Sequence, residues 1–246
     1  MAEAPVAATD RSMAAFFARG WTRFPFEPAV ADWAAHADAV AKSVERAPAP
    51  GMMRCGGTWH VGVDALGADA EGRVSGGPPL SGAALAAARS LIGAPSALDA
   101  GQASAFFEGY PRRGDEEDEA AFRYRLKRDA AHLDGLHRIM PGRRRMLKER
   151  HGFILGLPLN EAPAGAAPLV VWEGSHEVMR AALREAFGDA PPETWPEIDV
   201  TDAYQAARRR CFETLRRVEV PARPGEAYLI HRLALHGVAP WAAEAG

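Results

Sequence analysis

AFRYRLKRDAAHLDGL, residues 121–136, leads from an alternating pattern into a His-x-Asp. Its first half alternates apolar and basic side chains, with Phe122, Tyr124 and Leu126 on one parity. Such alternation predicts an extended strand. Residues i and i+2 of a strand share a face. If the strand runs through, His132 and Asp134 lie on the face begun by Phe122, and an imidazole and a carboxylate converge at its end. A second His-x-Asp occurs at His36-Ala37-Asp38. There, residues 28–45 put Val30, Trp33, Ala37, Val40 and Val44 on one helical stripe. A helix turns i and i+2 apart by about 200°, so His36 and Asp38 are rejected as a ligand pair.

Working outward, short strand patterns dominate the second half of the chain. GFILGLPLN (152–160) sets Phe153, Leu155, Leu157 and Leu159 on one face, and PLVVWEG (168–174) is an apolar run stopped by Gly. VEVPA (218–222) and EAYLIHRLALH (226–236) read as two more strands. Many short strands between turn signals predict a sandwich or barrel. Residues 176–187 and 201–215 each carry one apolar stripe and a charged back, as helices lying on a sheet do. Earlier, residues 57–63 have strand composition and 81–93 form an Ala-rich helix with a Gly stop. Residues 47–57 and 64–82 are loops rich in Gly and Pro. The acidic run 114–119 reads as a solvated tip or loop.

The 246 residues contain 48% hydrophobic and 25% charged side chains, which indicates a globular chain with a substantial core. A net charge of −3 lacks the basic excess expected for a nucleic-acid partner. The N-terminus has no basic start followed by an apolar run, and no apolar stretch is long enough to span a membrane, so the expected location is the cytoplasm. Cys55 and Cys211 form no Cys-x-x-Cys pattern and have no activating partner, so neither is assigned a nucleophilic role.

Two ligands are too few for a catalytic metal. The common non-haem iron arrangement is two His and one carboxylate on one face of an octahedron, with three positions left open. The candidates for the third ligand are His137, His151, His176, His231 and His236. His137 is too close to Asp134 without a tight turn, and His151 leads into the next strand. His231 and His236 fall on one predicted strand with opposite parity, so only one of them points inward.

At this point the chain resembles the phytanoyl-CoA dioxygenase-like branch of the Fe(II)/2-oxoglutarate oxygenases. The resemblance covers roughly residues 120–241 and rests on ordered pieces: AHLDG, the strand GFILGLPLN, the turn EAPAGAAP, PLVVWEGSHE and PGEAYLIHRLALHGVAP. It implies a double-stranded β-helix, a jelly-roll, cupin-like barrel that is mainly β with flanking helices. The implied domain is 1–246, with 1–95 a helical elaboration carrying the first strand and 100–246 the jelly-roll core without its final strand. The metal ligands would be His132, Asp134 and His236, holding Fe(II), with 2-oxoglutarate and O2 as co-substrates for oxidation of a small-molecule substrate. The family's Arg for the distal carboxylate of 2-oxoglutarate has no counterpart between His236 and Gly246. Either that Arg follows beyond the given residues, or the tail was lost, or the anchor lies elsewhere, where Arg232, on the parity of His236, is the candidate.

Two other classes stay open: a cupin-like metal enzyme that does not use 2-oxoglutarate, and a non-catalytic jelly-roll binding protein. Ser175 is expected to cap the helix that follows it. Arg143, Arg144, Arg145, Lys148 and Arg150 are read as a solvated face, with a mouth attracting an acidic substrate as the alternative. Arg208, Arg209 and Arg210 are expected on the surface. Trp59, Trp172 and Trp195 are expected in core or rim packing.

Overall fold

The structure is a computed structural model and describes residues 5–93, 97–115 and 117–242. The N-terminal part contains α1 (Pro5–Arg19), β1 (Trp21–Phe24), α2 (Pro28–Arg46), β2 (Met53–Arg54), β3 (Trp59–His60), α3 (Ala83–Ile92) and β4 (Ala105–Phe106). The middle contains α4 (Glu119–Arg128), β5 (Leu136–Ile139), β6 (Arg144–Leu147), β7 (Phe153–Gly156) and β8 (Leu169–Trp172). Then come α5 (Ser175–Phe187), α6 (Thr201–Thr214), β9 (Arg217–Glu219), β10 (Ala227–His231) and β11 (His236–Val238).

Two antiparallel sheets carry the architecture. One has the order β1-β10-β7 and the other β11-β8-β9. Ile154, Tyr228, Ile230 and Trp21 from the first pack with Leu169, Val171 and Val220 around the second, so the sheets face each other across this cluster. Helices cover both outer faces. Phe16 of α1 and the alanines of α3 pack on Phe24, Ala227 and Leu229. On the other side, Met179, Leu183 and Phe187 of α5 and Tyr204, Ala207 and Cys211 of α6 pack on Val170 and Trp172. The result is mixed helices and small antiparallel sheets, with no closed barrel among the described residues. The expected mainly-β composition is therefore corrected: the strands are short and helices supply both outer layers.

The strand predicted over 121–128 is a helix, α4. Its ends explain why. Asp118 accepts the Ala121 N–H at 2.7 Å as an N-cap, and Asp129 closes the C-terminus in a left-handed conformation. Arg125, Lys127 and Arg128 complement the dipole in the last turn. Caps outweighed a two-residue alternation that a surface helix tolerates, since α4 buries none of its side chains. The acidic run thus ends in a cap rather than a hairpin tip; residue 116 lies outside the described residues. The single strand predicted over 226–236 is also two strands. The chain turns after His231, where the Ala234 N–H bonds to the His231 carbonyl at 2.7 Å and the Leu233 N–H to its Nδ1 at 3.0 Å. β10 stays in the first sheet and β11 crosses to the second. The helical patterns at α2 and α3 hold, whereas α1, β1 and the hairpin β5–β6 were not expected and β2 lies inside the expected loop 47–57. α2 buries Val30, Trp33 and Ala37, and Gly93 ends α3 in the left-handed conformation.

Candidate metal centre

Strand register decides which way the site faces. His236 lies opposite Val171, and cross-strand partners share a face. Val171 belongs to the cluster between the sheets, so His236 turns inward. His132 forms an isolated antiparallel bridge with His236, with N···O distances of 2.8 and 3.2 Å, and so shares that face. Alternation then sends Leu133 outward into the α5/α6 cluster and returns Asp134 to the side of the histidines. The parity argument thus holds over 132–134, although its extension back through Phe122 does not. Gly237 makes the close pairing feasible. A Cβ there would sit 2.1 Å from the Asp129 carbonyl oxygen, so the two segments could not approach with any larger residue.

The side chains meet. His132 Nε2 lies 3.2 Å and His236 Nε2 3.6 Å from Asp134 Oδ1, and the imidazole centroids are 4.7 Å apart. One ligand atom from each of the three residues falls within 4.8 Å of the others. Ligands at right angles around a small divalent ion, with bonds of about 2.1 Å, are about 3 Å apart. The two imidazole–carboxylate separations, 3.2 and 3.6 Å, come close to that spacing. Exposure is graded across the site: the His132, Asp134 and His236 side chains are 50%, 35% and 8% exposed, so one side is walled and one open.

Tautomers are settled by the backbone. Nδ1 of His132 meets the Ala130 carbonyl at 3.0 Å and Nδ1 of His236 meets the Ala234 carbonyl at 2.9 Å. A carbonyl only accepts, so each Nδ1 carries the hydrogen. Both Nε2 lone pairs then face a carboxylate oxygen. That arrangement repels unless a proton or a shared cation lies between. Hydrogen-bonding one ring nitrogen to hold the other toward a metal is the usual outer support of metal-bound histidine. The donor set of two imidazole nitrogens and one carboxylate fits a divalent transition metal. Burial alone would raise the Asp134 carboxyl and lower His236, but in each case their mutual contact overrides it. Asp134, facing His132 and His236, is held well below the usual carboxylate range. His236, facing Asp134, is raised.

The remaining sequence candidates go elsewhere. His137 and His151 both contact Glu149, at 3.1 and 3.2 Å. His176 and His231 pair with each other, with ring centroids 5.0 Å apart. His36 bonds to the Val74 carbonyl at 2.8 Å, and Asp38 pairs with Lys42. Arg232 is exposed in the β10–β11 turn beside His231, rather than on a strand shared with His236. Cys55 and Cys211 are buried, and burial pushes both thiols up, Cys211 to about 11.

Ser175 is not the expected cap. Gly174 starts the helix, while Ser175 Oγ accepts the Leu235 N–H at 2.8 Å. This buried bond ties the start of α5 to the residue before His236. Three further supports escaped the sequence reading. Arg217 makes a bidentate pair with buried Asp129 at 2.8 and 3.0 Å, joining β9 to the segment that leads into His132. Tyr124 donates to the Ala131 carbonyl at 2.6 Å, and the Tyr204 hydroxyl contacts the Leu133 backbone. Each joins residues distant in sequence or sits on the misread helix, so no local signal could have found it.

No family model matches the chain, and no curated protein does. Among solved structures, the crystal structure of the non-haem alpha-ketoglutarate-dependent carbocyclase SnoK from nogalamycin biosynthesis is similar. It has a TM-score of 0.45 and 12% identity, over 96% of this chain and 79% of that one. A likeness of that degree does not decide chemistry. No helix among the described residues is long and apolar enough to cross a membrane.

Proposed function

We propose that the chain is a non-haem Fe(II)- and 2-oxoglutarate-dependent oxygenase of the phytanoyl-CoA dioxygenase-like kind, acting on a small molecule. The observation that carries the reading is the convergence of His132 Nε2, His236 Nε2 and Asp134 Oδ1, with both Nδ1 atoms committed to carbonyls. His132, Asp134 and His236 would hold the iron. Iron, 2-oxoglutarate and O2, when bound, supply the oxidising equivalents for attack on a C–H bond. The protein's part is to fix three ligands and leave three adjacent positions for co-substrates. Ala130 and Ala234 orient the imidazoles through their carbonyls. Val171 and the second sheet wall the inner side, while the exposed edge of His132 is where a substrate would approach. Two facing sheets, with β7–β10 in one and β8–β11 in the other, support a jelly-roll reading of the core.

Arg232 is the proposed partner of the distal keto-acid carboxylate. It makes no ion pair among the described residues and lies four positions before His236. Its exposure in a turn also favours the second reading, a cupin-like metal enzyme that works without a keto-acid. An anaerobic titration separates the two. Protein loaded with Fe(II) should develop the weak visible absorption of an iron-chelated keto-acid on adding 2-oxoglutarate, and Arg232→Ala should weaken that binding. Iron bound without any response to 2-oxoglutarate would reject the keto-acid and leave the cupin-like enzyme.

A further inference from the structure

The hairpin β5–β6 sets Arg138 directly opposite Arg145. Like charges directly opposed across a strand pair are unfavourable. Here they are joined by more of the same sign. Arg138, Arg143, Arg145 and Arg208 line one cleft of about 210 Å³, together with Tyr204 and Gln205. The chain as a whole is acidic, with a net charge of −3, so the concentration is local.

Few anions answer these guanidiniums. Arg143 reaches Asp118 at 3.6 Å, on the surface. Arg138 and Arg208 make no ion pair among the described residues. The Arg145 guanidinium donates to the Leu136 carbonyl, at 3.3 Å, and makes no ion pair among the described residues. Aromatic rings hold the side chains instead. Arg208 lies over Tyr124 at 4.8 Å and over Tyr204 at 5.2 Å, and Arg145 lies over Tyr204 at 5.7 Å. Arg208 also hydrogen-bonds the Tyr124 and Tyr204 hydroxyls, which holds its fork in place. A guanidinium carries five N–H donors, so others remain for contact with an oxyanion. Arg145 is further anchored through its backbone, whose N–H donates to Thr201 Oγ1 at 2.7 Å and whose carbonyl accepts from Val200. Burial and the neighbouring Arg208 and Arg138 push Arg145 down from its usual range, as expected where positive charge is uncompensated.

We propose that this cleft is a binding site for the phosphate group of a small phosphorylated molecule, held by Arg138, Arg145 and Arg208 and separate from the metal centre. The volume is smaller than the roughly 300–1,000 Å³ of pockets that enclose whole drug-sized ligands, and suits one or two phosphoryl groups. A phosphate offers several oxygens to converging forks, whereas a single carboxylate would satisfy one. The cleft lies behind the metal-bearing segment. Its floor, Tyr204, packs with Leu133, the residue that points away from His132 and Asp134. A group bound there does not touch the metal, so the site stands whether or not the chain is an oxygenase.

Isothermal titration of the metal-free protein at low salt tests this, with inorganic phosphate, pyrophosphate and glycerol phosphate as probes. The expected result is saturable binding of pyrophosphate or glycerol phosphate, weakened about tenfold or more for each guanidinium lost in Arg138→Gln and Arg208→Gln. Arg209→Gln removes the same charge from the exposed back of α6 and should bind as the parent does. Tighter binding of glycerol phosphate than of inorganic phosphate identifies an esterified ligand, and the reverse order identifies the free ion. In phosphate-free buffer Arg138→Gln should unfold at the same or a higher temperature than the parent, because it removes an opposed like charge. Absence of saturable binding in a folded parent overturns the proposal, as does equal loss in Arg209→Gln. A short single-stranded oligonucleotide that outcompetes pyrophosphate would also overturn it, in favour of a nucleic-acid surface.

Discussion

The molecule contains two pairs of stacked-apart histidines of nearly identical geometry. His132 and His236 have ring centroids 4.7 Å apart at a 48° tilt, and His176 and His231 have them 5.0 Å apart at 48°. Proximity of imidazoles therefore does not make a metal site. The pairs differ in what surrounds them. The first shares Asp134, gives both Nδ1 hydrogens to carbonyls and presents both Nε2 lone pairs to one point. In the second, His176 Nε2 donates to the Phe17 carbonyl, and His231 Nδ1 is occupied by the Leu233 N–H. The one nearby carboxylate, Glu177, is held by Arg180 at 2.9 Å. One member of the second pair is also sealed, while His231 is half-buried. His176 is fully buried, and a Cβ on Gly20 would come within 2.6 Å of its Nδ1. Charge follows: His236 is raised by its carboxylate, while burial and the neighbouring His176 lower His231 to about 4.

Removing the carboxylate should turn the first pair into something like the second. Asp134→Ala is expected to lose essentially all bound iron, from about one per chain, because two imidazoles alone do not make a facial triad. Metal analysis after anaerobic loading and desalting checks this, with circular dichroism to show that the chain stays folded. Retention of stoichiometric iron would show that Asp134 is not what separates the two pairs.

A pH dependence tests the other pair. His231 has a folded pKa of about 4 against an unfolded value of 6.5. Between those values the unfolded chain binds more protons than the folded one. The contribution is therefore fully present above about pH 6.5, is lost as pH falls through that window, and levels off near 4, a total of about 3 kcal/mol. His231→Asn keeps an acceptor for the Leu233 N–H and should flatten this part of the profile in urea unfolding. An unchanged slope would show that His231 is not the group that titrates.

Arg217→Ala sharpens the contrast by loosening only one pair. The Asp129–Arg217 bridge steadies the segment entering His132, and Asp129 is 5% exposed. Losing Arg217 should cost about 2 kcal/mol, below the full cost of breaking a buried pair because Arg217 is 39% exposed. Iron affinity should fall with it, while the His231 slope stays unchanged. The smallest effect is expected at the duplicate motif: His36→Ala should leave iron stoichiometry where it was, because Asp38 is committed to Lys42 on a helix.

The two His-x-Asp copies differ in a way the local sequence shows. The helical stripe around His36 is strong and local, and it disqualified that copy on backbone geometry alone. The strands at 153–156 and 169–172 and the helices α2, α3, α5 and α6 were legible for the same reason, since each carries its own periodicity. The element in front of the site was not. Phe122, Tyr124 and Leu126 alternate like a strand, yet Asp118 and Asp129 cap a helix there. The apolar run 226–236 also hid a crossing between sheets, because every residue in it is buried or half-buried by one sheet or the other except Arg232. Tertiary structure decided what no window can hold: His132 beside His236, Asp129 under Arg217, Ser175 on the Leu235 N–H, and arginines from a hairpin and a helix in one cleft. Periodicity reports how a segment lies against an unspecified neighbour. Ligand sets and ion pairs are contacts between segments, and only the packed chain specifies those neighbours.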